Sequence, residues 1–408
     1  MKKNNYTVAL FFFFCLVFLF LSCSKEDNFN LIDEDPLIRN YIRNAESQLK
    51  FAVHCVDSAS NVTANKEKNY VIPLSIDANG DLWLDSSLDW RSGFFPGCCW
   101  IMYELTNEEY WKETAIKFSW KIADATSFSQ HDLGFMFNSS FGRAYRLTKD
   151  NSYKTVLLEA ANTLSGRYNE TIGCIQSWGS SVRWNFPVLI DAMMNMELLF
   201  EATRLTGDSL YWNMGINHAN NTIKNHFRDD YSSYHVVSYY KETGEVQCKQ
   251  TSQGYSDESY WSRGQSWGLY GFTMCYRYTK DKKYLDQACH IADFLMSLNY
   301  FGDYVPYWDM ICPDIPNTSK DASAAAIMAS ALIELSHYVE SGKSNTYLEF
   351  AKQQIKTLSE KYTCELGSNY GFILNSSVGS YPSNYQVDVP AIYADYYYLE
   401  AIERLKKY

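Results

Sequence analysis

The sequence predicts an all-α chain closed into a six-hairpin α/α toroid, an (α/α)6 barrel. Three observations carry this expectation. A polar turn recurs along the chain, apolar and amphipathic segments alternate on either side of it, and long irregular segments precede the apolar ones.

The turn reads Tyr-Glu-Leu-Thr-Asn-Glu-Glu-Tyr at 103–110 and Tyr-Arg-Leu-Thr-Lys-Asp-Asn-Ser-Tyr at 145–153. It returns as Thr-Arg-Leu-Thr-Gly-Asp-Ser-Leu-Tyr at 203–211 and Tyr-Arg-Tyr-Thr-Lys-Asp-Lys-Lys-Tyr at 276–284, with a degenerate copy at 337–347. Each copy reads as a helix end, a short polar turn with an N-cap, and a new helix opened by an aromatic residue. A repeat of this kind sets the architecture before any single element does.

The helices expected after each turn are amphipathic: 110–124, 153–165, 211–226, 284–298 and 347–362. Those expected before are more apolar: 94–105, 133–147, 188–205, 261–278 and 322–339. Adding 38–56 at the front and 392–406 at the back gives twelve helices in six pairs. A helix apolar nearly all round is an inner one, and a helix with a polar face is an outer one. An open α-solenoid is the rival architecture. The long irregular segments between pairs favour the toroid, because they resemble loops built into a site.

The N-terminus reads as a targeting segment. Lys2 and Lys3 precede an uncharged apolar run from Val8 to Leu21, followed by Ser22-Cys23. Fourteen apolar residues are short for a bilayer span. The expected organisation is a lipoprotein signal peptide over 1–22, lipidation at Cys23, a tether over 23–35 and one catalytic domain over 36–408. The resulting location is the bacterial cell envelope, facing the periplasm or the cell surface. Ser24-Lys25-Glu26-Asp27 resembles the acidic export tag of some surface lipoproteins.

The net charge is −11; the first 23 residues contribute +2, leaving −13 for the remainder. No basic run offers a nucleic-acid surface. An anionic ligand would need local cations or N–H donors working against this field. Besides Cys15 and Cys23 there are nine scattered cysteines without a CxxC pair, so neither a zinc site nor a disulfide framework is indicated. Aromatic residues make up 16% of the chain, including 11 Trp, and flat faces of this kind suit sugar-binding clefts.

The unusual motifs cluster where inner helices begin. Asp89-Trp90-Arg91-Ser92-Gly93 precedes the first, His131-Asp132 the second, and Asp191 opens the third. Trp261-Ser262-Arg263-Gly264-Gln265 opens the fourth, Asp321 the fifth, and Asp388 precedes the last. Parallel inner helices would bring these N-termini to one mouth, a setting that suits anions. Asp132 and Asp191 then form a candidate acid/base pair, although each also suits a plain helix N-cap. Asp191 lies among apolar residues, where a carboxylate is costly unless used or paired. Trp261, Arg263 and Trp267 could stack a sugar ring and grip a carboxylate, or simply pack the helix. Trp90 suits a second stacking face or the core. His235 and Gln253 lie in the loop insertion after the third pair; alone, such a His is more often structural, and the Gln-Gly turn can be only a turn.

At these residues the chain resembles glycoside hydrolase family 88, the unsaturated glucuronyl hydrolases. The matching segments run in order through Trp90–Gly97, His131–Phe135, Leu189–Asn195, His235–Val237 and Gln253–Trp267. They continue through Val305–Asp309, Lys320–Ala326, Val387–Pro390 and Tyr393–Tyr397. The resemblance implies an enzyme that removes the 4,5-unsaturated uronic acid left by polysaccharide lyases at a non-reducing end, from glycosaminoglycan-type or related oligosaccharides. It places the catalytic pair on Asp191 and Asp132. Substrate contacts fall on Trp90, His235, Gln253, Trp261, Arg263 and Trp267, and the implied chemistry needs neither metal nor organic cofactor. Many relatives carry histidines or basic residues where this chain has Ser380-Tyr381-Pro382-Ser383-Asn384-Tyr385-Gln386, a stretch with no cation for a sulfate. An unsaturated rhamnogalacturonyl hydrolase, a non-catalytic glycan-binding lipoprotein and a sugar epimerase are the competing readings. The epimerase would need catalytic histidines at the mouth, where only His131 and His235 are candidates.

Overall fold

The recurrent turn has a simple physical basis. Thr106, Thr148, Thr206 and Thr279 each donate a side-chain hydrogen bond to the carbonyl four residues back, at 2.7–2.8 Å. Each hydroxyl also accepts the backbone N–H two residues ahead, at 3.1–3.2 Å. The residue between, Asn107, Lys149, Gly207 or Lys280, takes a left-handed conformation that stops the helix. Asp150, Asp208 and Asp281 then cap the next helix by accepting the N–H of Ser152, Leu210 and Lys283. The degenerate copy has no such Thr, and there Glu340 accepts the N–H groups of Gly342 and Lys343.

This computed structural model describes residues 35–408 apart from residue 301. The expected signal peptide, Cys23 and the tether up to residue 34 lie outside the described residues. The outer layer comprises α1 (Pro36–Ser60), α4 (Glu109–Trp120), α7 (Asn151–Ser165), α9 (Ser209–His226), α11 (Lys282–Ser297) and α13 (Ser341–Lys361). The short α2 (Thr63–Glu67) follows α1. The inner layer comprises α3 (Phe94–Thr106), α5 (Leu133–Phe137) with α6 (Arg143–Thr148), α8 (Met196–Thr206), α10 (Ser262–Thr279), α12 (Ala322–Ser336) and α14 (Ile392–Lys406).

The inner helices pack in sequence, α5 on α8, α8 on α10, α10 on α12 and α12 on α14. The ring then closes, because α14 packs on α3 and α3 on the turn between α5 and α6. That closure excludes the open solenoid and makes the fold the expected (α/α)6 toroid. The burial follows the same division: every residue of α12 is buried, whereas α13 buries one face.

Two inner elements depart from the expected helices. Residues 188–205 were predicted as one helix, but Phe186–Leu189 form β5. Pro187 and the β-branched Val188 favour extended backbone, and β5 finds a partner in β6 (Val236–Tyr239). The chain then passes through a 3-10 turn at Ile190–Asn195 before α8. Residues 133–147 were also predicted as one helix, but a π turn at Asn138–Gly142 separates α5 from α6. Ser139 and Ser140 hydroxyls donate to the Phe135 and Met136 carbonyls at 2.6 Å, loosening the regular ladder there.

The irregular segments fold into small hairpins. They are β1 (Ile72–Ile76) with β2 (Leu82–Asp85), β3 (Tyr168–Asn169) with β4 (Cys174–Ile175), and β8 (Ser377–Ser380) with β9 (Tyr385–Val389). The strand β7 (Val246–Gln250) extends β5 and β6 into an antiparallel three-stranded sheet. All nine cysteines among the described residues are free thiols.

Candidate active site

The segments that precede the inner helices meet in a cavity of about 570 Å³. Its walls include Trp90, His131, Asp132, Asp191, Gln253, Trp261, Arg263 and Trp267. Sequence reasoning therefore placed seven of its eight named sugar-site residues on one cavity. The eighth, His235, does not line it. Its ring lies 4.4 Å from Trp261 and 5.8 Å from Trp178, behind the wall. His235 Nδ1 accepts the N–H groups of Ser252 and Gln253 at 3.1 and 3.3 Å, so the ring fastens the turn that presents Gln253.

Neither aspartate spends its carboxylate on a helix cap. Asp132 occupies the N-cap position of α5 without a capping bond. Its Oδ1 instead accepts Asn195 Nδ2 at 3.1 Å, and its Oδ2 lies 3.2 Å from His131 Nε2. Asp191 sits in the first turn of the 3-10 segment, where its Oδ1 has no partner among the described residues. The two inner elements can approach because residue 134 is glycine: a Cβ there would lie 2.4 Å from Asn195 Cα. Asn195 is fully buried and also accepts the Phe135 N–H at 3.0 Å.

Burial is the main cause of the unusual acidity of this pair. It raises Asp191 to about 7, with the Asp132 charge adding to the rise and His131, a backbone N–H and Arg263 opposing it. Burial also raises Asp132 to about 7, opposed by the Asn195 hydrogen bond and Arg167, and reinforced by Asp89. His131 is lowered to about 4 by burial against the pull of Asp191, so its imidazole is neutral at neutral pH. Two carboxyls near neutrality in one cleft are suited to giving and taking a proton.

Aromatic faces form the remaining wall. Trp90 packs on Phe135 and Tyr393 with ring centroids 5.4 Å away, and Trp267 packs on Phe135 at 5.0 Å. Trp261 lies over the Arg263 guanidinium at 4.8 Å. Arg263 itself is engaged by the fold: its Nη1 donates to Asp321 at 3.0 Å and to the Val378 carbonyl, and its Nη2 donates to the Gly379 carbonyl at 2.6 Å. Asp321 caps α12, so this ion pair joins the starts of two inner helices at the mouth. Gln253 Nε2 donates to the same Gly379 carbonyl at 2.9 Å. Both residues thus hold the β8–β9 hairpin against the cleft.

Ser380, Ser383 and Tyr385, from the cation-free stretch noted in the sequence, also line the cavity, as does Gln130 beside His131, whereas Trp178 and Ser252 were not singled out from sequence. Trp178 is followed by Gly179-Ser180-Ser181, and a lone Trp in such a polar loop was the available signal. Asn195 was visible only as an amide in an apolar run. Among the described residues, no group of three or more His, Cys, Asp or Glu could hold a metal ion.

The model of Glycosyl Hydrolase Family 88 matches residues 64–408. The chain belongs to glycoside hydrolase family 88. This glycoside hydrolase is 41% identical to the unsaturated glucuronyl hydrolase of Formosa agariphila, with 99% of this chain and 98% of that protein covered. It is 34% identical to the unsaturated chondroitin disaccharide hydrolase of Streptococcus pneumoniae, over 78% of this chain and 82% of that one. Among solved structures, an unsaturated glucuronyl hydrolase specific for heparin superposes with a TM-score of 0.85 at 40% identity, covering 92% of this chain and 99% of that one. An unsaturated glucuronyl hydrolase from Streptococcus agalactiae, in complex with dGlcA-GalNAc6S, superposes with a TM-score of 0.74 at 28% identity, covering 90% and 91% of the two chains.

Proposed function

We propose that the chain hydrolyses the 4,5-unsaturated uronic acid from the non-reducing end of oligosaccharides released by polysaccharide lyases. The observation that carries this reading is the aspartate pair, with both carboxyls raised to about 7 inside a cleft walled by tryptophan. The family and the substrates named for its relatives support the same reading.

The C4=C5 bond of the substrate is conjugated to the ring oxygen and forms a vinyl ether. Asp191 gives its proton to C4, leaving an oxocarbenium ion at C5. The resulting carboxylate takes a proton from water as the water oxygen bonds to C5. The C5 hemiketal opens to a ketone, and the hemiacetal left at C1 releases the remaining sugar as an alcohol. The reaction consumes one water, and Asp191 ends protonated, as it began. Asp132 binds ring hydroxyls, and its negative charge favours the protonated form of Asp191. The nucleophile attacks C5 rather than the anomeric carbon, so the carboxylate spacing of inverting and retaining enzymes is not the relevant measure.

The test is loss of the ultraviolet absorbance of the conjugated bond when the purified chain meets a panel of unsaturated disaccharides. Absorbance that persists across the whole panel would overturn the reading. We also propose that the chain is a lipoprotein of the bacterial envelope, anchored through Cys23. The charged start, the short apolar run and the Ser22-Cys23 junction support this.

A further inference from the structure

A second cavity, of about 710 Å³, lies among the C-terminal halves of the inner helices. Phe135 lines both this cavity and the one at the mouth. Most of its charge is internally matched. Arg143 bonds Glu104, Glu400 and Glu403 at 2.7–2.9 Å. Arg277 bonds Glu197 and Glu334 at 2.7 and 3.1 Å, and Arg404 pairs with Glu334 at 2.9 Å.

Two adjacent lining groups are unmatched among the described residues. Asn138 is 7% exposed, and neither of its amide atoms has a hydrogen-bond partner among the described residues. Arg146 lines the same cavity, is exposed, and has no ion pair or hydrogen bond among the described residues. Its charge reaches Glu201, but that carboxylate is already bound by Arg204 at 2.7 Å and by Tyr278. Both groups border one notch. A Cβ added to Gly142 would lie 3.3 Å from Arg146 Nη1 and 3.3 Å from Asn138 Oδ1. Asn138 and Gly142 belong to the π turn and Arg146 follows it in α6; turns of this kind are frequent at functional sites.

An unmatched guanidinium offers a fork of donors that fits a carboxylate or sulfate. The neighbouring amide has neither end bonded, so it can turn its NH2 toward an anion to add a donor, or keep its oxygen there to accept from a hydroxyl. We propose that the notch at Asn138, Gly142 and Arg146 is a second ligand site, and that it binds a small oxyanion. Two sources share this chemistry, the carboxylate of a sugar acid and sulfate.

The full chain is titrated in a calorimeter with sodium glucuronate and, separately, with sodium sulfate, at an ionic strength fixed with chloride. Saturable binding of at least one is expected. Arg146→Ala should weaken it at least ~10-fold, the scale of one lost charge-assisted hydrogen bond. Gly142→Ala, which keeps the helical backbone and fills the notch, should weaken it as well. Turnover of an unsaturated disaccharide should stay at the wild-type value in both variants, separating this site from the mouth. Binding of glucuronate alone would make the ligand a sugar acid, and binding of sulfate alone would make it a sulfate. Binding of neither, or binding that Arg146→Ala leaves unchanged, would overturn the proposal.

Discussion

Asn195 Nδ2 donates to Asp132 Oδ1 at 3.1 Å while the other end of the same amide takes the Phe135 N–H. One fully buried side chain at the start of α8 thereby holds both the Asp132 carboxylate and the first turn of α5, the helix that Asp132 precedes. Asn195→Ala should lower kcat and also cost about 1–3 kcal/mol of stability, because a buried N–H is left unpaired. Steady-state kinetics and thermal unfolding on one preparation check this. A lower Tm with unchanged kcat would make Asn195 a purely structural residue.

Asp191→Asn preserves size and hydrogen bonding but removes the transferable proton. Turnover should fall by at least ~10²-fold, the usual scale of lost acid/base catalysis, while substrate binding survives. Near-normal turnover in the purified variant would remove Asp191 from the chemistry.

The activity should also have an alkaline limb. In the proposed mechanism Asp191 acts protonated, and its value of about 7 means that the active form is lost as pH rises through neutrality. Asp132→Asn removes a negative charge that raises Asp191, so the limb in the residual activity should move to lower pH. A limb that stays in place would show that Asp132 does not set the acidity of Asp191.

Arg263 and Asp321 form a buried ion pair, with side chains 4% and 0% exposed. Asp321→Ala should destabilise the fold by about 3–5 kcal/mol, since it strands a buried guanidinium. Urea unfolding gives the value. Stability close to wild type would mean that the Val378 and Gly379 carbonyls alone hold Arg263.

Cys23→Ser should shift the protein out of the membrane fraction of producing cells. Detergent-phase partitioning measures this, and unchanged partitioning would rule out the lipid anchor.

Much of the ring was legible because its turns are local. The Thr-x-Asp signal is complete within a few residues, and α14 occupies the predicted span of 392–406. Ring closure was not legible in the same way, since it depends on α14 meeting α3. Long-range partners were equally hidden: Arg263 reaches Val378 across 115 residues, and Asn195 reaches Asp132 across 63. The third inner helix was misread at its start because a strand partner near residue 236 outweighed the apolar pattern of Val188–Leu189. The aspartates could be located from sequence, but not their release from capping, which for Asp132 depends on Asn195 and His131.

The closure of α3 against α14 also limits how such an enzyme can vary. An open stack can gain or lose a repeat at either end, but a closed circuit has no end, and removing one hairpin would leave two inner helices without a neighbour. Changes of length are therefore confined to the segments between hairpins. Those segments, from Trp90 to the β8–β9 hairpin, are also the ones that shape the cleft, so the scaffold can stay fixed while the choice of sugar changes.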